Sequence, residues 1–193
     1  HAALLSQQGN RLWNQDAGGI WTDSSRLPAK KLMAVVADGS GGTEAGGEAS
    51  RRTLSFLSQI DSWKQDVASE VISDDLERAF EQANAFILEL GKDGSSPSST
   101  ATCIVCTGKE IIVAHIGDSA LFRISAGECR RVTDIHRASS DGINGPLGLL
   151  LVNRLGQEEI KVDRFVFESK AGDKLILCSD GAECFLTDQD LIH

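Results

Sequence analysis

The chain lacks any run of apolar residues long enough to cross a bilayer; nothing approaches the ~18 consecutive apolar positions of a membrane helix. Its first residues, His1-Ala-Ala-Leu-Leu-Ser6, are too few and too weakly apolar for a secretory leader. With no export address, the expected compartment is the cytoplasm. Positive charge is scarce as well. Lys and Arg number 19 against 28 Asp and Glu, a formal net charge of −9. Nucleic acid and anionic membrane both demand a basic surface, so neither is expected as a bulk partner. An acidic excess can serve solubility, or some carboxylates can exist to hold cations. Charge alone does not choose between these.

A disulfide framework is also missing. The five cysteines are odd in number and scattered. Cys103 and Cys106 form a lone C-x-x-C inside an apolar, β-type run, Thr102–Thr107. An odd separation on a strand sends the two side chains to opposite faces. No second pair or flanking histidines complete a zinc set. The cysteines read as small core residues.

What the chain does contain suits one domain spanning 1–193, with 41% hydrophobic and 24% charged residues. Lys31–Asp38 is a short apolar run that reads as a buried strand entering a turn at Asp38-Gly39. A Gly-rich stretch follows, then helix to about Trp63, with Leu54, Leu57 and Ile60 at helical spacing. A second helix is expected from Ser73 as N-cap, with Asp74 and Asp75 in its first turn. Ile72, Leu76, Ala79, Phe80, Ala83, Ile87 and Leu90 form its apolar stripe, and Gly91 its stop.

Three β-type runs come next: 101–107, 110–116 and 120–124. Gly108-Lys109 reads as a hairpin turn between the first two. Residues 133–160 read as an irregular, mobile surface excursion. Strands return at 161–167 and 173–179 around an Ala171-Gly172 turn. Thr187–Asp190 reads as a helix start. Early helices followed by strands with short connections give an α+β fold with antiparallel sheets.

Asp38, Asp118 and Asp180 share one context. Each follows an apolar strand or glycine, and each precedes Gly or Ser. A single Asp-Gly reads as a plain turn. Several carboxylates converging at strand ends would repel one another unless neutralised, and hard divalent ions prefer such oxygen ligands.

Five phrases, in order, resemble those of the metal-dependent type 2C serine/threonine protein phosphatases. They are Arg11-Leu-Trp-Asn14-Gln15-Asp16, Asp38-Gly39-Ser40-Gly41-Gly42, Ser99-Thr100-Ala101, Gly117-Asp118-Ser119, and Gly172-Asp173 through Ser179-Asp180-Gly181. The resemblance, closest to bacterial members, implies two packed antiparallel β-sheets flanked by α-helices, a four-layer αββα sandwich. It implies two or three Mn²⁺ or Mg²⁺ ions. Asp38 would bridge two of them, the Gly39 carbonyl and Asp180 would complete their shells, and Asp16 would support them through water. Asp118 would hold a third ion, and Arg11 would grip the substrate phosphate.

The implied reaction is hydrolysis of phosphoserine and phosphothreonine by a metal-bridged hydroxide. The implied partners are phosphorylated proteins and an opposing Ser/Thr kinase. Some positions depart from the family. Gln15 stands where many members carry Glu. Ser40 replaces a histidine proposed to protonate the leaving group, and Ser98 replaces a glycine. His136 resembles the histidine of the family's Thr-x-Asp-His phrase, but Asp134 is out of register with it, so His136 is assigned no role. The family's closing Asp-Asn, a further metal ligand, is not found before His193, so the domain reads as lacking its C-terminal end. That departure keeps open an alternative, a catalytically weak or inactive phosphatase-like module with a regulatory or binding role.

Overall fold

Strand β2, Leu32–Ser40, runs through the middle of the fold, and its alternation explains the layers. Met33, Val35 and Ala37 are buried on one face, while Ala34 lies against a second cluster on the other. The computed structural model describes residues 1–23, 31–41, 44–137 and 151–184.

The larger sheet has the order β1-β2-β4-β5-β8, all antiparallel. These strands are Asp16–Thr22, Leu32–Ser40, Ala101–Cys106, Glu110–Ile116 and Asp163–Glu168, and the two-residue β3 (Ser98–Ser99) pairs with the end of β2. The smaller sheet has the order β7-β6-β9, formed by Glu128–Arg131, Ala120–Ser125 and Lys174–Cys178.

Two helices, α1 (Glu44–Ser58) and α2 (Ser69–Leu90), cover one face of the larger sheet. Leu57, Trp63, Ile72, Leu76, Phe80 and Ile87 pack there against Met33, Val35, Cys103, Val105, Ile112 and Ile116. Each large apolar side chain fully buried in this layer stabilises by roughly 1.5–3 kcal/mol. The other face of the sheet meets the smaller sheet through Ile104, Ile111, Val113 and Leu121, joined by Phe165, Phe167, Leu175 and Leu177. Cys103 and Cys106 fall on opposite faces, as their spacing requires.

The α+β class and the two antiparallel sheets agree with expectation. Among the described residues, the only α-helix besides α1 and α2 is the four-residue α3, Asp180–Glu183. Several local expectations are corrected. β2 does not turn at Asp38-Gly39; it continues to Ser40 because Gly39 and Ser40 pair with Ser99 and Ser98. Strands β1 and β7 appear where no strand is expected. Gly18 and Gly19 dilute the β signal of the first, although it pairs with β2 along its whole length.

Helix α2 starts one turn early, at Ser69, with Glu70 in its first turn; the N-cap is Ala68, without a side-chain cap. Its end is as expected: α2 stops at Leu90 with Gly91 as C-cap, and a short 3-10 turn, Gly91–Asp93, follows and closes at Gly94, whose φ is +92°. Asp180 follows strand β9, as expected, and opens the short helix α3. Residues 151–160 are not a mobile excursion. Leu155 is fully buried and exchanges backbone hydrogen bonds with Ser99, and Asn84 bonds Gly156 and Gln157. The rest of the expected excursion, 138–150, and the helix start at Thr187–Asp190 lie outside the described residues.

Candidate metal centre

The fold brings three aspartates from three other segments towards Asp38. Asp16 opens β1 and is the direct cross-strand partner of Asp38 on β2. Asp118 sits in the β5–β6 connection, and Asp180 follows β9 at the start of α3. Burial is the first cause that lifts the Asp38 carboxyl above its ordinary value, followed by the charges of Asp16 and Asp180, a hydrogen bond with the Asp180 carboxyl, and the charge of Asp118; together they push it up to about 8. Ser179 Oγ donates to Asp16 Oδ2 at 2.7 Å, tying the start of β1 to the end of β9.

The main chain around Asp38 is clamped. Asp38 N donates to Thr100 Oγ1 at 3.1 Å, and Thr100 N donates to Asp38 O at 2.9 Å. The Thr100 hydroxyl is also 2.7 Å from Ser119 Oγ, which links the clamp to the residue after Asp118. Gly39 lies under the first turn of α1. A Cβ there would stand 2.1 Å from the Gly46 carbonyl oxygen.

The Asp118 loop is held by two histidines. His115 is fully buried; burial first, then His136, pushes it down to about 4, so it is neutral. Its Nε2 faces the carbonyls of Gly117 and Asp134 at 3.2 and 3.0 Å and therefore carries the proton. Its Nδ1 accepts from the Thr102 hydroxyl at 2.9 Å. Gly117 N donates to His136 Nδ1 at 3.1 Å, His136 N donates to Gly117 O at 2.9 Å, and His136 Nε2 donates to Asp163 Oδ2 at 2.8 Å.

Two arginines complete the loop. Arg131 Nη2 donates to Asp118 O at 2.8 Å while its Nη1 pairs with Glu183 on α3. Arg137 joins the carboxylates of Asp118 and Asp180.

The other expected residues are placed less centrally. Arg11 is exposed on the bend before β1, and among the described residues no hydrogen bond or ion pair joins it to the four aspartates. Ser40 Oγ is 2.7 Å from Ser98 Oγ. Gly42 lies outside the described residues. The open groove between α2 and β8, about 1110 Å³, carries none of these residues.

Thr100, Arg131, His136 and Arg137 escaped the sequence reading as site residues. Thr100 lay within a recognised phrase without a role, and the other three sit in stretches with no periodic signal.

Among the described residues, no three His, Cys, Asp or Glu side chains stand ready-made as a metal shell. The electrostatics nevertheless converge: three carboxylates act on Asp38 at once. The electrostatic convergence is the better guide to fit, because like-charged carboxylates spread apart and a bound ion sets their final distances. The donor set is all oxygen, which suits Mg²⁺ or Mn²⁺.

Fold and cluster together define a two-sheet α+β protein with an acidic, oxygen-rich centre suited to hard divalent cations. Residues 6–193 match the protein phosphatase 2C family, and the chain belongs to it. It is 29% identical over 200 residues to the serine/threonine phosphatase stp of Listeria innocua, covering 94% of this chain and 77% of that protein. It is 27% identical over 184 residues to the serine/threonine protein phosphatase PstP of Mycobacterium tuberculosis, covering 89% of this chain and 35% of that one. Among solved structures, the S. agalactiae serine/threonine phosphatase superposes with a TM-score of 0.81 at 26% identity, over 95% of this chain and 80% of that one. The catalytic domain of PstP in complex with two manganese ions gives 0.75 at 25% identity, over 94% and 77%.

Proposed function

We propose that the protein hydrolyses phosphoserine and phosphothreonine on protein substrates, and that Asp16, Asp38, Gly39, Asp118 and Asp180 form its metal centre. It is a metal-dependent protein phosphatase of the 2C family. The observation that carries the residue assignment is the crowding of Asp38, a half-buried carboxyl pushed up to about 8 by burial and three neighbouring aspartates. Such a cluster is stable in its ionised form only with added positive charge.

Asp38 lies centrally enough to bridge two ions. The Gly39 carbonyl and Asp180 would help hold those ions, Asp16 would support them, and Asp118 would hold a further one. Bound divalent ions supply Lewis acidity, which lowers the pKa of water and neutralises phosphoryl charge. Arg11, exposed beside the entrance to β1, offers its planar fork to the phosphoryl oxygens. Thr100 holds the Asp38 main chain at both its N–H and its carbonyl, which fixes the backbone from which the central carboxylate projects.

Ser40 cannot protonate a leaving group near neutral pH, so that proton comes from water. Cysteine plays no nucleophilic part. Burial pushes the thiols of Cys103, Cys106 and Cys178 upward, and these three and Cys184 are free thiols. Free thiols suit a reducing cytoplasm, where an opposing Ser/Thr kinase would supply the substrates.

The test is phosphopeptide hydrolysis with Mn²⁺, with and without chelator. Turnover should need the metal, and Asp38→Asn should abolish it while circular dichroism stays native. Metal-independent turnover, or an active Asp38→Asn, would overturn the assignment.

A further inference from the structure

Arg137 stands where the two outer aspartates meet. Its Nη2 lies 2.6 Å from Asp118 Oδ2 and 3.3 Å from Asp180 Oδ2, and its Nε donates to the same Asp118 oxygen at 2.8 Å. We propose that Arg137 is an internal counter-cation of the metal centre, which ties Asp118 to Asp180 and competes with the divalent ion for the Asp118 carboxylate. The inference rests on the assignment of Asp118 and Asp180 as metal ligands.

The Asp118 side chain is only 7% exposed. A carboxylate so buried is costly unless a cation meets it. The guanidinium meets it through two nitrogens on one oxygen, a charge-assisted contact. An incoming ion would need the same carboxylate. A guanidinium and a divalent ion on one carboxylate repel each other, so occupancy by one weakens the other.

The arginine is tethered but not trapped. Its backbone forms a bridge with Leu151, and the preceding His136 is bonded to Gly117, which fixes the start of the side chain beside the loop. The side chain remains 29% exposed and can swing outward when displaced. Asp180, 50% exposed, is the more weakly held partner and the natural first contact for an arriving ion. The arrangement stabilises the metal-free protein and lowers its affinity for the ion that uses Asp118. Occupancy then depends on the concentration of free divalent ion.

The test compares wild type, Arg137→Ala and Arg137→Lys by calorimetric Mn²⁺ titration, and by thermal unfolding with chelator or with saturating Mn²⁺. Arg137→Ala should bind the weakest Mn²⁺ about 10-fold more tightly, the size of one charge-assisted contact removed from competition. It should also melt lower than wild type in chelator, with the gap closing in Mn²⁺. Lysine, a point charge that cannot fork, should fall between.

Unchanged or weaker Mn²⁺ binding by Arg137→Ala, with wild type binding normally, overturns the inference and leaves the metal assignment standing. If neither wild type nor Arg137→Ala binds Mn²⁺, the assignment itself fails and the inference with it. An Asp38→Asn control that binds like wild type also points to failure of the assignment.

Discussion

Asp16 and Asp38 face each other directly across the β1–β2 pair. Like charges in this position destabilise a sheet. Here the arrangement repeats outward, since Asp180 and Asp118 also act on Asp38. Two strands that pair along seven consecutive positions place their like charges at one end, where both chains open toward the Asp118 loop. The sheet thus tolerates a local penalty that a bound cation can reverse.

The metal-free protein should lose stability as pH rises from about 6.5 to about 8. Asp38 keeps its proton in the folded state up to about 8, against an ordinary value of 3.8. In that window the unfolded chain has already released this proton and the folded chain has not, so folding weakens with rising pH. Below about 6.5, His115 acts the other way: its folded value near 4 makes the unfolded state bind more protons between about 4 and 6.5. The two effects oppose there, which leaves the upper window as the clean one. Urea unfolding in chelator across pH 6.5–8 measures the slope. Asp38→Asn should flatten it; a slope that survives the substitution would falsify the attribution to Asp38.

Mn²⁺ binding should release protons at neutral pH. A metal ligand must be ionised, and most Asp38 carboxyls are protonated at pH 7 if the group titrates near 8. Calorimetry in buffers of different ionisation enthalpy should therefore report most of one proton released per protein at pH 7, fading towards none at pH 9. A count that does not change with pH would separate Asp38 from metal binding.

His136→Ala should destabilise the protein by roughly 1–3 kcal/mol, the cost of leaving buried polar partners unmet. The imidazole accepts from Gly117 N and donates to Asp163, and Asn153 Nδ2 is 2.9 Å from the same Nδ1. Its backbone also receives the Val152 amide, joining three segments around the Asp118 loop. Mn²⁺ affinity should weaken alongside stability, because Gly117 sets where Asp118 begins. Equal urea midpoints for His136→Ala and wild type would show that the histidine is incidental.

The parts of this fold that were legible in the sequence are those with strong periodicity. The α2 stripe from Ile72 to Ile87 and the runs of β4, β5 and β9 announced themselves because burial on one or both faces dictates their composition. Strand β1 did not, because its alternation is broken by Gly18 and Gly19. Gly18 sits where a Cβ would meet the Leu4 side chain, and Gly19 where it would meet Trp21. At the site, the aspartates stood out through the phrases around them. His136, Arg131 and Arg137 did not, since each acts through tertiary contacts around the Asp118 loop that no local spacing encodes. The Asp38-Gly39 turn was misjudged for a related reason: a glycine needed for close packing has the same letter as a glycine needed for a turn.

Gly39→Ala separates those two uses of glycine. Gly39 is part of β2, paired with Ser99, so alanine meets no objection from a turn conformation. The objection is steric. The added Cβ would lie 2.1 Å from the Gly46 carbonyl oxygen and 2.8 Å from the Gln15 carbonyl oxygen, both backbone atoms that cannot rotate away. Helix α1 would have to lift from the sheet, and overpacking of this kind costs on the order of 1–3 kcal/mol or more. Gly94→Ala is the counterpart: its φ of +92° is strained for alanine, yet the space around it is open, and its cost should stay near ~1 kcal/mol. Thermal unfolding of both variants in chelator should therefore rank Gly39→Ala well below Gly94→Ala. Gly39→Ala should also weaken Mn²⁺ binding, since Asp38 and the Gly39 carbonyl move with the strand, whereas Gly94→Ala should leave it unchanged. The reverse ranking would mean that α1 does not press on β2 at this point, and the close approach that shapes the metal centre would have to be abandoned.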